Sequence, residues 1–447
     1  MTMDRAPTDL LDDLLQRAGK AGADAADAML VESRGLAVTR RLGQLEKVER
    51  AESHDLGLRV FVGRRQAIVS TGELDTAALD RLVEQAVAIA RAVPEDRYAG
   101  LAEPGEIAAS LPELPLDDGQ EPGADALAEL AAAAEDAARA HPKITNSEGA
   151  EARWSRSRTT IAATNGFLGS SARSSYSLSA SVIAGANGAM ERDFEYATVI
   201  RLADLPDAAE LGRQAAERAA RRLHPRKVKS QAAPVVFEPR VAGGVIRHLA
   251  SAISGPSVAR GTTFLKDRMG ERIFAERVTM VEDPLRPDGL RSRAFDAEGI
   301  AVERRNLVDR GVLTTWLLDC ASARQLGLPP TGHAVRGVSS APSPAPANVY
   351  IEPGAISPED LISDIKNGFY ITEMMGSGIN YVTGDYSRGA AGFWIEDGAL
   401  ASPVSEVTIA GTLQGMFQTL TPASDLLFRY GIDAPTLRIE RMTIAGQ

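Results

Sequence analysis

Leu10, Leu11, Leu14 and Leu15 fall on one face at helical spacing, so the apolar pattern predicts an opening helix from Leu10 to Ala21. The rhythm then changes. Residues 28–70 read as strands, with "AMLVES", "LGLRVFV" and "QAIVST" separated by glycine and charge. Helical spacing returns over Asp75 to Val93, where Leu79, Leu82, Val83, Ala86 and Ala90 share a face, Asp75 is placed to cap and Pro94 to stop. A Pro-, Gly- and acid-rich stretch to Ala124 reads as a surface loop, followed by an Ala-rich helix from Ala124 to Ala140. Strands resume from Arg158 to Arg201, with Asn165-Gly166 and Asn187-Gly188 as tight turns. In "SYSLSASV" the alternation puts Tyr176, Leu178, Ala180 and Val182 on one face and serines on the other.

A further helix from Pro206 to Leu223 ends before Pro225. Beyond it the pattern is mostly strand, with many glycines and prolines. Two helices interrupt it, one from Pro239 to about Ile253 and one from Ser357 to Asn367, the latter capped by Ser357 and stopped by Gly368. The segment from Thr331 to Gly354 has too many prolines for a continuous helix or a central strand and reads as an extended connection or a strip laid over a cleft. "GFWIEDGAL" reads as a hairpin turning at Asp397-Gly398. The glycine-rich "TGDYSRGAAG" before it reads as a loop whose backbone can receive an extended chain by strand addition. These elements give an α+β fold class: an N-terminal α/β domain over 1–226 and a C-terminal domain of twisted antiparallel β-structure with few helices over 227–447.

Composition narrows the function more than the fold. The chain has 447 residues and a net charge of −11, which argues against direct nucleic-acid binding. One basic run, Arg221 to Lys229, reads as a solvated helix end and linker. The single cysteine, Cys320, lies in an apolar run, excludes an internal disulfide and reads as a buried structural thiol. No stretch is apolar for long enough to span a bilayer, and "MTMDRAPTDLLDDLLQRAG" lacks a signal-peptide core, so a cytoplasmic protein is expected, with no membrane contact. Ser363 and Lys366 match S-x-x-K by spacing alone, and no G-x-S-x-G or phosphate loop occurs. Histidines are five and scattered. His248, in "RVAGGVIRHLASAISG", sits beside the stripe Val241, Val245, Leu249 and Ala252, and one imidazole does not hold zinc.

"YVTGDYSRGAAGFWIEDGAL", "PVSEVTIAGTLQGMF", "GLRSRAFDAEGIAVERRNLVDRGVLTTWLLDCASARQLG" and the final "RMTIAG" resemble the TldD/PmbA family, whose name is tied to modulation of DNA gyrase. The resemblance implies a heterodimeric metallopeptidase. One branch carries H-E-x-x-x-H on a helix and a distal cysteine, which hold zinc, while the glutamate is general base. This chain is similar to the other branch, PmbA or TldE. If "RHLASAISG" occupies the zinc helix, His248 matches the first histidine, with Leu249 in place of the glutamate and Ile253 in place of the second histidine. The resemblance therefore implies no catalytic residue, metal ligand set or cofactor in this chain, with zinc in a TldD-like partner. The pair would act on small or unfolded peptides of the kind met in microcin maturation and antitoxin degradation. Asp385, Tyr386, Arg388 and Gly389 are the expected peptide-cleft or subunit-interface residues. Alone, the chain is expected to form a homodimer imitating the mixed pair. The alternative is a binding-only regulator of gyrase-directed toxin–antitoxin systems.

Overall fold

A computed structural model describes residues 6–186 and 188–446. Its first half is one antiparallel sheet with four helices. The helices are α1 (Pro7–Lys20), α2 (Thr76–Ala92), α3 (Ala124–Arg139) and α4 (Ala208–Arg221). The strands are β1 (Ala25–Arg41), β2 (Gln44–Val62), β3 (Arg65–Thr71), β4 (Ile144–Ala163), β5 (Leu168–Ala186) and β6 (Ala189–Val199), in spatial order β3-β2-β1-β4-β5-β6. Asp75 caps α2 by accepting from the Ala78 amide at 2.9 Å, and Asp207 caps α4 through the Glu210 amide at 2.7 Å.

Two cores lie on this sheet. Leu10, Leu11, Leu14 and Leu15 of α1 meet Leu56, Leu58 and Val60 of β2 and the apolar face of α2. Trp154, Tyr176 and Leu178 meet α3 and α4, whose buried faces are largely alanine. Small residues let those two helices close in: a Cβ added at Gly212 would stand 2.0 Å from the Ala134 carbonyl. Tyr176, Leu178, Ala180 and Val182 are buried, as the alternation requires. Asn165-Gly166 turns between β4 and β5, with the Asn165 side chain accepting from the Phe167 amide at 3.2 Å. The other turn dipeptide includes Asn187, which lies outside the described residues.

The second half is built on a closed barrel. Its strands are β7 (Gln231–Phe237), β8 (Asn367–Ile379), β9 (Asp385–Glu396), β10 (Ala399–Thr412) and β11 (Leu437–Ala445). Pairing runs β10-β9-β8-β7-β11, and β10 also pairs with β11, which closes the ring. All of these pairings are antiparallel except β7 with β8. Helix α5 (Pro239–Ala252) packs against the barrel strands. Asp397 and Gly398, at φ 46° and 79°, make the tight turn between β9 and β10.

Four sequence expectations need correction. The helix expected over Ser357–Asn367 stops at Ile362, because Phe369 and its neighbours pair with Val235 to Phe237 of β7. Ser357 caps it as expected, whereas Gly368 lies inside β8 and is no helix stop. The proline-rich strip does contain a central strand: Val349–Ile351 pairs with Met280–Glu282 on one side and Ile432–Asp433 on the other. That piece is free of proline, which is why it can join both ladders. The basic run is a clasp as well as a solvated linker. Arg222 pairs with Glu373 at 2.5 Å, and Arg226 and Lys227 pair with Glu396 and Glu406 of the barrel half. Finally, "TGDYSRGAAG" is largely strand β9, paired with β8 and β10 on its two edges, so it has no free edge for strand addition.

The strip crosses back over the first sheet. Arg336 pairs with the buried Asp27 of β1 at 2.5 Å, and Arg59 of β2 reaches the same carboxylate at 2.8 Å. Gly57 of β2 lies directly under the strip, and a Cβ there would stand 2.0 Å from the Val338 carbonyl. Gly57→Ala is therefore expected to lower stability by about 1–3 kcal/mol, measured by urea denaturation, because Gly57 is held in ladders on both sides and the added methyl would meet the Val338 backbone. Unchanged stability would mean that the strip rests loosely on the sheet.

Candidate functional site

The site forms where the edge strand β6 meets α5 and the barrel. Two ion pairs tie the start of α5 to the first half: Arg218 of α4 to Glu238 at 2.7 Å, and Arg240 to Asp193 of β6 at 3.0 Å. Gly243 brings the helix onto the Ile432–Asp433 strand, since a Cβ there would lie 2.7 Å from the Ile432 carbonyl. Between these elements lies a cavity of about 370 Å³. Arg192, Phe194 and Tyr196 line it from β6, Gly244 and His248 from α5, and Arg388 from β9. That volume falls in the range of small-ligand pockets.

His248 is buried, 9% exposed, and its Nδ1 lies 3.1 Å from the Tyr381 hydroxyl. Its Nε2 is buried with no hydrogen-bond partner. Tyr386 stands edge-on to the imidazole, with ring centroids 5.6 Å apart. Burial, then Arg388 and Arg247, push the imidazole down to about 4, so His248 is neutral near pH 7. Burial pushes the Tyr386 phenol up to about 12, against the opposing pull of Arg388.

The structure thus brings His248, Tyr386 and Arg388 together. Asp385 is exposed and accepts from the Thr383 hydroxyl at 2.6 Å. Gly389 is paired with Met375 and Thr408 inside the barrel wall. Leu249 and Ile253 are fully buried in the barrel core. These four residues do not line the cavity. Sequence reasoning missed Arg247, although it adjoins His248, and Tyr381, although it is the first residue of the quoted "YVTGDYSRGAAGFWIEDGAL". It also missed Arg192 to Tyr196, which no local signal connects to α5.

The surroundings of His248 do not suit a metal ion. Leu249 and Ile253 have no lone pairs to give, Arg247 and Arg388 repel a cation, and no three His, Cys, Asp or Glu side chains converge among the described residues. Cys320 is buried on the short helix Cys320–Leu326, and burial, with Glu298 and Asp296, pushes its thiol well up.

Comparison with known proteins gives one consistent picture. The models of the PmbA/TldA metallopeptidase domains match in order: domain 1 over residues 26–90, the central domain over 117–223 and the C-terminal domain over 230–446. Metalloprotease PmbA of Escherichia coli O157:H7 is 39% identical over 427 residues, covering 95% of this chain and 93% of the relative. A PmbA homolog from Haemophilus influenzae is 36% identical, covering 97% of this chain and 94% of the relative. Among solved structures, a Bacteroides thetaiotaomicron protein named for a proposed modulator role on DNA gyrase superposes with TM-score 0.92 at 27% identity, over 100% of both chains. TldE from Thermococcus kodakarensis shares the fold, with TM-score 0.87 at 21% identity over 98% of this chain and 100% of its own.

Proposed function

This chain belongs to the PmbA/TldD metallopeptidase family, and on that premise we propose that it is the non-catalytic subunit of a heterodimeric zinc peptidase acting on small or unfolded peptides. The observation that carries this reading is the composition of α5. Where the resemblance places the metal helix, His248 is the sole imidazole at the cavity, and the two positions that should supply a base and a second ligand are Leu249 and Ile253, both sealed in the barrel core. A catalytic zinc needs about three protein ligands and an open position. Removing two of them removes most of the binding free energy. The metal site would then be on a TldD-like partner, and this chain would help enclose the cleft and hold substrate.

Co-purification with a relative carrying H-E-x-x-x-H tests this. The mixed pair is expected to cleave casein-derived peptides, whereas either subunit alone is not, and zinc is expected only on the partner. Stoichiometric zinc on the isolated chain, surviving dialysis and lost in His248→Ala, would overturn the reading. A stable pair without peptidase activity would favour the binding-only role.

A further inference from the structure

The cavity beside His248 holds more positive charge than its own carboxylates neutralise. Glu373 is engaged by Arg222 at 2.5 Å, and Asp193 by Arg240 at 3.0 Å and Arg222 at 3.4 Å. Arg192 turns outward to Glu148 at 3.3 Å. Two guanidiniums remain. Arg388 donates its Nε–H to the Gly376 carbonyl at 2.9 Å and lies against the Tyr386 phenol. Arg247 is exposed, one residue before His248. Among the described residues neither has a carboxylate within ion-pairing distance, although both line the same cavity and act on the same imidazole. Arg291 lies close enough to Arg247 to add to this field.

The third observation is independent of charge. His248 is more than nine-tenths buried, and its Nε2 is left without a partner. Nδ1 and the Tyr381 hydroxyl share one hydrogen bond, and when the hydroxyl donates it the ring proton sits on Nε2 and needs an acceptor. A buried donor with no acceptor is costly, so an acceptor supplied by a ligand is favoured on arrival. Two guanidiniums without a carboxylate partner and one partnerless imidazole nitrogen beside one cavity match an oxyanion with several lone pairs, above all a carboxylate held by an arginine fork. Phe194, Val241 and Met374 supply apolar surface beside them, which a free inorganic anion would not use.

We propose that Arg247, Arg388 and His248 form an anion subsite that receives a carboxylate of a bound peptide, with the neighbouring side chain of that peptide against Phe194, Val241 and Met374. The inference rests on the reading that this chain holds peptide substrate. It adds that acidic or free C-terminal ends are selected, and that the selection is made on this subunit.

Fluorescence anisotropy on the full chain tests it with three labelled probes: tetra-alanine with a free C-terminus, its C-terminal amide, and the amide with one internal glutamate. At least one acid-bearing probe is expected to bind about tenfold or more tighter than the plain amide, as charge-assisted hydrogen bonds allow. Which acid is preferred identifies the carboxylate. The preference is expected to weaken with added salt and to vanish in Arg247→Gln/Arg388→Gln. Equal binding of acids and amide by the unaltered chain would overturn the proposal, a comparison that needs no variant to fold. So would a preference that persists in the double variant, or tight binding of inorganic phosphate without any preference among the peptides. No acid preference in the unaltered chain, while the reconstituted pair still cleaves peptides, would remove the subsite alone. Acid preference in a chain that never pairs with a zinc-bearing relative would remove the subunit reading alone.

Discussion

A Leu249→Glu/Ile253→His double variant, which completes H-E-x-x-x-H from His248 across the C-terminal end of α5, is expected to gain neither zinc nor peptidase activity and to lose on the order of 4–5 kcal/mol of stability. Both positions are fully buried among Val245, Ile246 and the barrel side chains. A carboxylate there loses its water without gaining a partner, and the imidazole of the second substitution meets the same apolar surroundings. Arg247 and Arg388 already oppose positive charge at His248, so a zinc ion would find an unfavourable field as well as an incomplete ligand set. Urea denaturation and metal analysis after dialysis measure the two halves of the expectation. A stable variant retaining stoichiometric zinc would show that α5 can turn these positions toward a metal.

The second large effect lies at the buried seam between the first sheet and the strip. Asp27→Ala is expected to cost about 3–5 kcal/mol, since removing one partner of a buried ion pair strands the others. Here the stranded groups are Arg59 and Arg336, each 3% exposed, with Glu298 3.6 Å from Arg59 as the nearest remaining counter-charge. Burial alone would raise the Asp27 carboxyl, but Arg59 and Arg336 outweigh it and hold the group below its ordinary value. Its stabilising contribution is therefore complete above the ordinary carboxylate pKa of about 3.9 and fades as the pH falls through the lower folded value. The stability difference between the unaltered chain and Asp27→Asn should be full at pH 7 and shrink in strong acid. A difference that does not change with pH would show that the carboxylate's charge plays no part.

What could be read from the sequence was decided by how far each determinant reaches along the chain. The cap at Asp75, the turn at Asp397-Gly398 and the alternation from Tyr176 to Val182 are set by neighbours a few residues away, and all three are present. The short helix after Ser357 began as expected and ended early, because pairing with β7, more than a hundred residues back, outweighs helix propensity beyond Ile362. The glycines from Gly384 to Gly392 suggested a loop. Gly392 instead permits close packing within the strand: a Cβ there would stand 2.0 Å from the Tyr370 carbonyl. Read as a strand, the same stretch puts Tyr386 and Arg388 on one face by its period of two, which is how both come to His248. Resemblance drew attention to His248, but the residues of β6 that complete its cavity are some fifty positions away, with no local pattern to announce them.

The closed ring has a consequence for how the protein is made. Strand β7 waits for β11, whose Ile444 pairs with Gln231 and whose Leu437 pairs with Phe237. At ordinary elongation rates of 5–20 residues per second, roughly 10–40 s separate the emergence of the two strands from the ribosome. Most ladders of the first sheet are hairpins that can zip up during that interval, whereas β7 and β10 keep raw edges until the last ladder forms. Nascent chains stalled short of Leu437 would therefore present sticky, unpaired backbone to one another and to chaperones.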